Sequence, residues 1–175
     1  RQCANLWVAK QQLHTDLCWE MGALDDPTHR IDGFPMKLCN FRRARSCRLF
    51  AGEAAYGYCA SKAMTYYGFQ GLLIVSGIGV VTGFTVMVAN HDEADGVYEC
   101  LRGQNGLLEG DKGFIRPIHR EELRRLGLNL QTPLRRNMQD DRPAEQVKEL
   151  LRDRRLVETV IGQLTERFNI QRLRA

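Results

Sequence analysis

Three carboxylates stand out by the company they keep. Asp32 lies in Arg30-Ile31-Asp32-Gly33-Phe34-Pro35, a strand-like segment where aspartate has poor propensity. Asp111 closes the apolar run that leads into Gly110-Asp111-Lys112-Gly113-Phe114. Glu158 sits in a helical stretch, Arg154 to Leu164. At 100° per residue it falls about 20° from Leu151, on the edge of an apolar stripe of Val147, Leu150, Leu151, Val157, Ile161, Leu164 and Phe168. The helix is therefore expected to turn Glu158 toward the core, where a carboxylate must be paired, protonated or bound to a cation. Singly, each residue has an ordinary explanation. Asp32 and Asp111 could be turn or capping residues, and Glu158 could pair with Arg154 one turn earlier. Together they suit magnesium-dependent phosphoryl transfer, in which two ions about 4 Å apart serve the attacking and leaving oxygens. Magnesium takes oxygen ligands and keeps several waters, so three carboxylates suffice.

The elements that must position them can be read along the chain. Residues 1–24 read as a helix with Leu6, Ala9, Leu13, Leu17 and Met21 on one side, ended by Asp25-Asp26-Pro27. A short strand follows at about 29–34, its pairing limited by Pro35. Residues 36–65 lack clean periodicity and read as a long basic loop. Residues 71–89 carry no charge, yet four glycines and many β-branched residues make them two buried strands around a Ser76-Gly77-Ile78-Gly79 turn, not a membrane span. Asn90 with Glu93 resembles a capping box opening a helix to about Leu101. A strand at 106–111, a short helix at 120–126 ended by Gly127, a strand at 128–134 and one long helix from Pro143 to about 168 complete the order.

The chain of 175 residues is long enough for one full domain, and its 43% hydrophobic and 26% charged content is that of a globular protein. A net charge of +4 permits a polyanionic partner without requiring one. The six cysteines form no C-x-x-C pair and no zinc spacing, which favours reduced thiols in a cytoplasmic protein. Phosphate-loop, dinucleotide-loop and serine-hydrolase signatures are absent. Within residues 36–65, Lys37, Arg42, Arg43, Arg45 and Arg48 precede the first acid, Glu53, and with Phe41 and Phe50 nearby they suit phosphate contact; a solvated loop is the plainer alternative.

Several strings then occur in order: Asp32-Gly33-Phe34-Pro35, Cys39 through Cys47, Gly52-Glu53, Tyr56-Gly57-Tyr58-Cys59-Ala60-Ser61-Lys62, Tyr67-Gly68-Phe69, Gly110-Asp111-Lys112-Gly113-Phe114, and Glu158-Thr159-Val160 through Glu166. Over residues 28–170 the chain resembles a DDE transposase of bacterial insertion sequences, most closely the group named for insertion sequence 982. The resemblance implies an α/β, ribonuclease-H-like fold, a mixed sheet flanked by helices, with the acidic triad on the first strand, the fourth strand and a late helix. It makes Asp32, Asp111 and Glu158 catalytic and metal-binding residues for two Mg²⁺ or Mn²⁺ ions, supported by Arg154. Lys37, Arg42, Arg43, Arg45, Arg48, Lys62 and Lys112 become DNA contacts. It also implies cleavage at transposon ends, strand transfer into target DNA, a homodimer on DNA, and a bacterial cytoplasmic setting. Residues 1–26 are expected to be the remnant of a truncated helical N-terminal region, and residues 27–175 the catalytic domain. Two positions differ from relatives: Gln70 and Gly71-Leu72 stand where a lysine and then a histidine are common, and Thr165 where a lysine often follows the glutamate. An inactive remnant that only binds DNA, or a ribonuclease-H-like nuclease or resolvase, would share these residues.

Overall fold

The computed structural model describes residues 6–173. One mixed sheet of six strands carries the chain. The strands are β1 (Thr28–Asn40), β2 (Ala55–Cys59), β3 (Met64–Ser76), β4 (Val81–Val88), β5 (Gly106–Glu109) and β6 (Leu128–Gln131). Its path runs β2-β3-β1-β5-β6, with β4 pairing the other edge of β3 beyond β2. β1, β3 and β4 are antiparallel neighbours, whereas β1, β5 and β6 are parallel. Five helices accompany it among the described residues: α1 (Trp7–Glu20), α2 (Glu93–Cys100), α3 (Pro117–Arg125), α4 (Ala144–Asp153) and α5 (Arg155–Phe168). This is the mixed, helix-flanked sheet that the sequence led us to expect.

Alternation along β1 and β3 sorts side chains onto two faces. Ile31, Leu72 and Ile74 pack with Ala94 and Val97 of α2 and Leu123 of α3. Phe34, Met36, Leu73 and Val75 pack with Val157 and Ile161 of α5. Asp32 pairs with Leu73 and so belongs to the α5 face. The charge-free run over residues 71–89 is the β3–β4 hairpin, turned at Gly79 (φ +86°), whose N–H donates to the Ser76 carbonyl at 2.9 Å. No described helix is long and apolar enough to cross a membrane.

Several expectations need correction. Residues 36–65 are not one loop: β1 continues to Asn40, Phe41–Ser46 forms a 3-10 helix, β2 follows, and β3 starts at Met64. Pro35 does not shorten β1. Lys37, two residues on, donates its N–H to Gln171 on the edge away from β3, so the missing N–H of Pro35 faces that edge as well. The helix predicted over 143–168 is divided at Arg154 into α4 and α5. In α1, Leu6, Leu13, Leu17 and Met21 are exposed, and Cys18 is the buried residue. The part of that helical expectation on residues 1–5 lies outside the described residues.

One tight approach makes a stability prediction. A Cβ on Gly83 would run into the backbone carbonyl oxygen of Cys100, which has no side-chain freedom to yield. Gly83→Ala is expected to cost about 1–3 kcal/mol by overpacking, seen as a lowered melting temperature in circular dichroism; an unchanged melt would mean that the α2 terminus is not seated on β4.

Candidate active site

The parallel register of β1 and β5 brings Asp32 and Asp111 level. Arg30 pairs with Glu109; Asp32 stands two residues further on within β1, and Asp111 two residues beyond Glu109, just past the end of β5. Asp32 is part-buried and its Oδ1 accepts the Gly33 N–H at 3.0 Å. Asp111 leaves the strand as the cap of the 3-10 turn Lys112–Phe114, accepting the Gly113 N–H at 2.5 Å. Gly110 is needed just before it, because a Cβ there would lie 2.9 Å from the Phe114 ring.

Glu158 comes in from the first turn of α5. It is exposed, not turned into the core as its angle to Leu151 suggested. Leu151 is itself exposed, and the buried stripe runs through Leu150, Val157 and Ile161. The break at Arg154 cuts α5 off from the angular frame of Leu151, and within α5 Glu158 stands about 100° from the buried Val157, on the flank. No helix presses on Gly162, whose Cβ would meet nothing within 4 Å.

Arg154 is oriented by the break between α4 and α5. Its Nη2 stands 4.0 Å from Asp32 Oδ1, and among the described residues it forms no ion pair with Glu158. Its buried Nε has no hydrogen-bond partner. Beneath this layer on the same face, Arg30 Nε lies 3.1 Å from Glu109 Oε2, and Arg30 Nη2 lies 3.5 Å from Asp153. Burial pushes Glu109 up to about 7 although Arg30 opposes it.

A fourth carboxylate joins the group. Glu93, first residue of α2, reaches over the sheet edge to the space above Gly33. A Cβ on Gly33 would collide with its carboxylate, and one on Gly113 would lie 3.2 Å from its Oε2. Gln70 donates a hydrogen bond to Glu93 Oε1. The capping-box reading of Asn90 and Glu93 hid this residue. In the structure Asp92 caps α2, accepting the Ala94 N–H at 3.1 Å, which frees the Glu93 side chain. The signal available in sequence was Gly33 itself, a residue without a side chain beside a strand aspartate.

The electrostatics record the crowding. Asp32 is raised to about 6, by burial first and then by the charges of Asp111 and Glu158, against the pull of Arg154 and the Gly33 N–H. Glu93 is raised to about 7 by burial and by Asp111, Asp32 and Asp92. Burial and the neighbouring carboxylates thus outweigh the pull of the one arginine beside Asp32. Removing that arginine should raise Asp32 further: in Arg154→Met the carboxyl titration followed by carbon NMR is expected to move above about 6, and a downward move would exclude the contact.

Oxygen-only donors with surplus negative charge fit a hard divalent cation. Among the described residues, however, no three His, Cys, Asp or Glu side chains already stand together as a metal cage. The basic residues lie elsewhere. Arg42, Arg43 and Arg45 follow the far end of β1, eight residues from Asp32, which is roughly 25 Å along a strand. Lys37 Nζ donates to Asn40 at 2.8 Å and Lys62 Nζ to Gln171 at 2.5 Å, while exposed Lys112 directly follows Asp111.

A family model described as "Transposase DDE domain" matches residues 25–175. The chain belongs to the transposase DDE domain family. That is a family of phosphoryl-transfer enzymes, and the match covers every carboxylate described above. Among solved structures, the chain is similar to a piggyBac transposase determined as a synaptic complex with hairpin DNA, at 14% identity and a TM-score of 0.43. That likeness covers 67% of this chain and 27% of the other, so the chain spans about a quarter of that transposase. No curated protein matches the sequence.

Proposed function

We propose that this chain is the catalytic domain of a transposase of the insertion sequence 982 group. It would cut DNA at transposon ends and join them to target DNA, with Asp32, Asp111 and Glu158 as its acidic triad. The carrying observation is the register of β1 with β5, which sets Asp32 and Asp111 each two residues beyond the paired Arg30 and Glu109, with Glu158 in the first turn of the helix that packs on the Asp32 face. Asp32 and Asp111 would jointly hold one Mg²⁺, and Glu158 would complete a second site. Such ions supply Lewis-acid stabilisation of the attacking and leaving oxygens during in-line transfer.

The chain's own residues do the rest. Arg154 restrains Asp32 and presents a buried Nε–H without a partner, a donor suited to a phosphate oxygen. Lys112 adds a positive charge beside Asp111. Gln70 fixes Glu93 against Gly33, keeping a proton acceptor of raised pKa next to the triad. Glu158 and Lys112 are exposed and so open to a long substrate such as DNA, and a homodimer on DNA would bring two ends together.

Separated carboxylates favour a second reading, a remnant that binds DNA without cutting it. Both are tested by incubating the chain with DNA carrying the terminal inverted repeats that flank its coding region. Mg²⁺-dependent nicking at the repeat supports the transposase. Salt-sensitive binding with no nicking supports the remnant.

A further inference from the structure

The sheet face that bears Asp32 continues along β3 into a row of rings. Leu73, Phe69 and Tyr67 alternate onto the α5 side of β3. Tyr67 pairs with Tyr56 across β2, with ring centres 5.3 Å apart. Phe41 lies 5.4 Å from Tyr56, and Tyr58 follows on the same side of β2. Phe41, Tyr56 and Tyr58 are 57%, 45% and 67% exposed. Contiguous aromatic surface of this kind marks an interaction site.

The charge around the row is one-sided. Between Asp32 and Asp92 the only acid is Glu53, against Lys37, Arg42, Arg43, Arg45, Arg48 and Lys62. Among the described residues, Arg42, Arg43, Arg45 and Arg48 form no ion pair. Free cations beside free rings match a polyanion with aromatic faces. A duplex hides those faces inside its stack and offers only phosphates, whereas an unpaired strand offers both.

We propose that Phe41, Tyr56 and Tyr58, with Arg42, Arg43, Arg45 and Arg48, form a binding surface for single-stranded DNA, with the rings stacking bases and the arginines holding phosphates. The choice of DNA rests on the transposase reading; the preference for an unpaired strand does not. The surface lies about 20 Å from Asp32 along β3, so it would hold a strand leading to or from the carboxylates.

The test is fluorescence anisotropy with labelled oligo-dT and a duplex of equal length. Tyr56→Ala/Tyr58→Ala, with all arginines kept, is expected to weaken oligo-dT binding by about 10-fold or more and duplex binding by less than about twofold. Tyr56→Phe/Tyr58→Phe should restore the oligo-dT affinity, which a merely folding-related loss would not do selectively. Equal losses on both DNAs, or no loss on oligo-dT, would overturn the proposal. So would unchanged DNA binding with a loss of self-association in sedimentation, which would assign the rings to a protein partner. Asp32→Asn should retain the single-strand preference, so a failure of the cleavage reading is separable from a failure of this one.

Discussion

Asp32→Asn and Glu158→Gln are each expected to lower Mg²⁺-dependent nicking of the terminal repeat by about 10²- to 10³-fold, the scale of losing one preorganised electrostatic group in a transition state. Both changes keep side-chain size and remove only charge. Asp32 is part-buried in a paired strand and Glu158 is exposed on a helix, so neither replacement disturbs the apolar clusters on the two faces of the sheet. Melting temperatures should therefore stay at or above the parent's, because the replaced charges repel one another. Unimpaired nicking by either variant would remove that residue from the triad. Lost nicking with a collapsed melt would assign it a structural role.

The second large effect is a pH-dependent stabilisation by magnesium. Asp32 at about 6 and Glu93 at about 7 both lie above the ordinary carboxylate range in the folded chain. A raised carboxylate binds its proton more tightly when folded than when unfolded. Its contribution is fully present below the unfolded pKa and is lost as pH rises through the folded one. Without a divalent ion, stability from these two groups should therefore decline between about pH 4 and 7. Mg²⁺ can take the place of the protons only where they have left. The Mg²⁺-induced rise in melting temperature is accordingly expected to be small at pH 5 and several degrees at pH 8, following the linkage between binding and folding. An equal shift at both pH values would locate Mg²⁺ away from these carboxylates.

How much of this was legible in the sequence follows from how local each signal is. Asp32 stands out in the sequence because an aspartate in an apolar strand pattern conflicts with its propensity, whereas the register that sets Asp111 beside it is a property of the folded sheet. The β3–β4 hairpin declared itself through β-branched residues around a glycine turn. Other features depend on contacts between distant segments. β2 is only five residues long, with Gly57 at its centre and pairing only with β3, so its sequence alone is indistinct. Glu93 looked like a helix cap because spacing cannot show where a side chain points; only the bare Gly33 and the Gln70 amide opposite make room for it. The angle from Leu151 points Glu158 to the core only if one helix runs through Arg154; the break there gives α5 its own buried side, Val157 and Ile161, and leaves Glu158 exposed.

The identity of residue 70 bears directly on Glu93. A lysine there would set a positive charge beside Glu93, whereas the amide donates one neutral hydrogen bond and leaves the carboxylate's raised pKa in place. Arg42, Arg43 and Arg45 follow the end of β1, about 25 Å from Asp32 along the strand, a distance of some seven base pairs at 3.4 Å each. A DNA substrate could therefore reach the carboxylates and the arginines at once.

Anomalous diffraction from crystals of the chain soaked in Mn²⁺ tests directly whether Asp32, Asp111 and Glu158 hold divalent metal. Mn²⁺ is expected between the carboxylates of Asp32 and Asp111, with the Glu158 carboxylate turned toward the same site, and no such density in Asp32→Asn. Density that is absent there in saturating Mn²⁺, with Arg154 still against Asp32, would contradict that expectation.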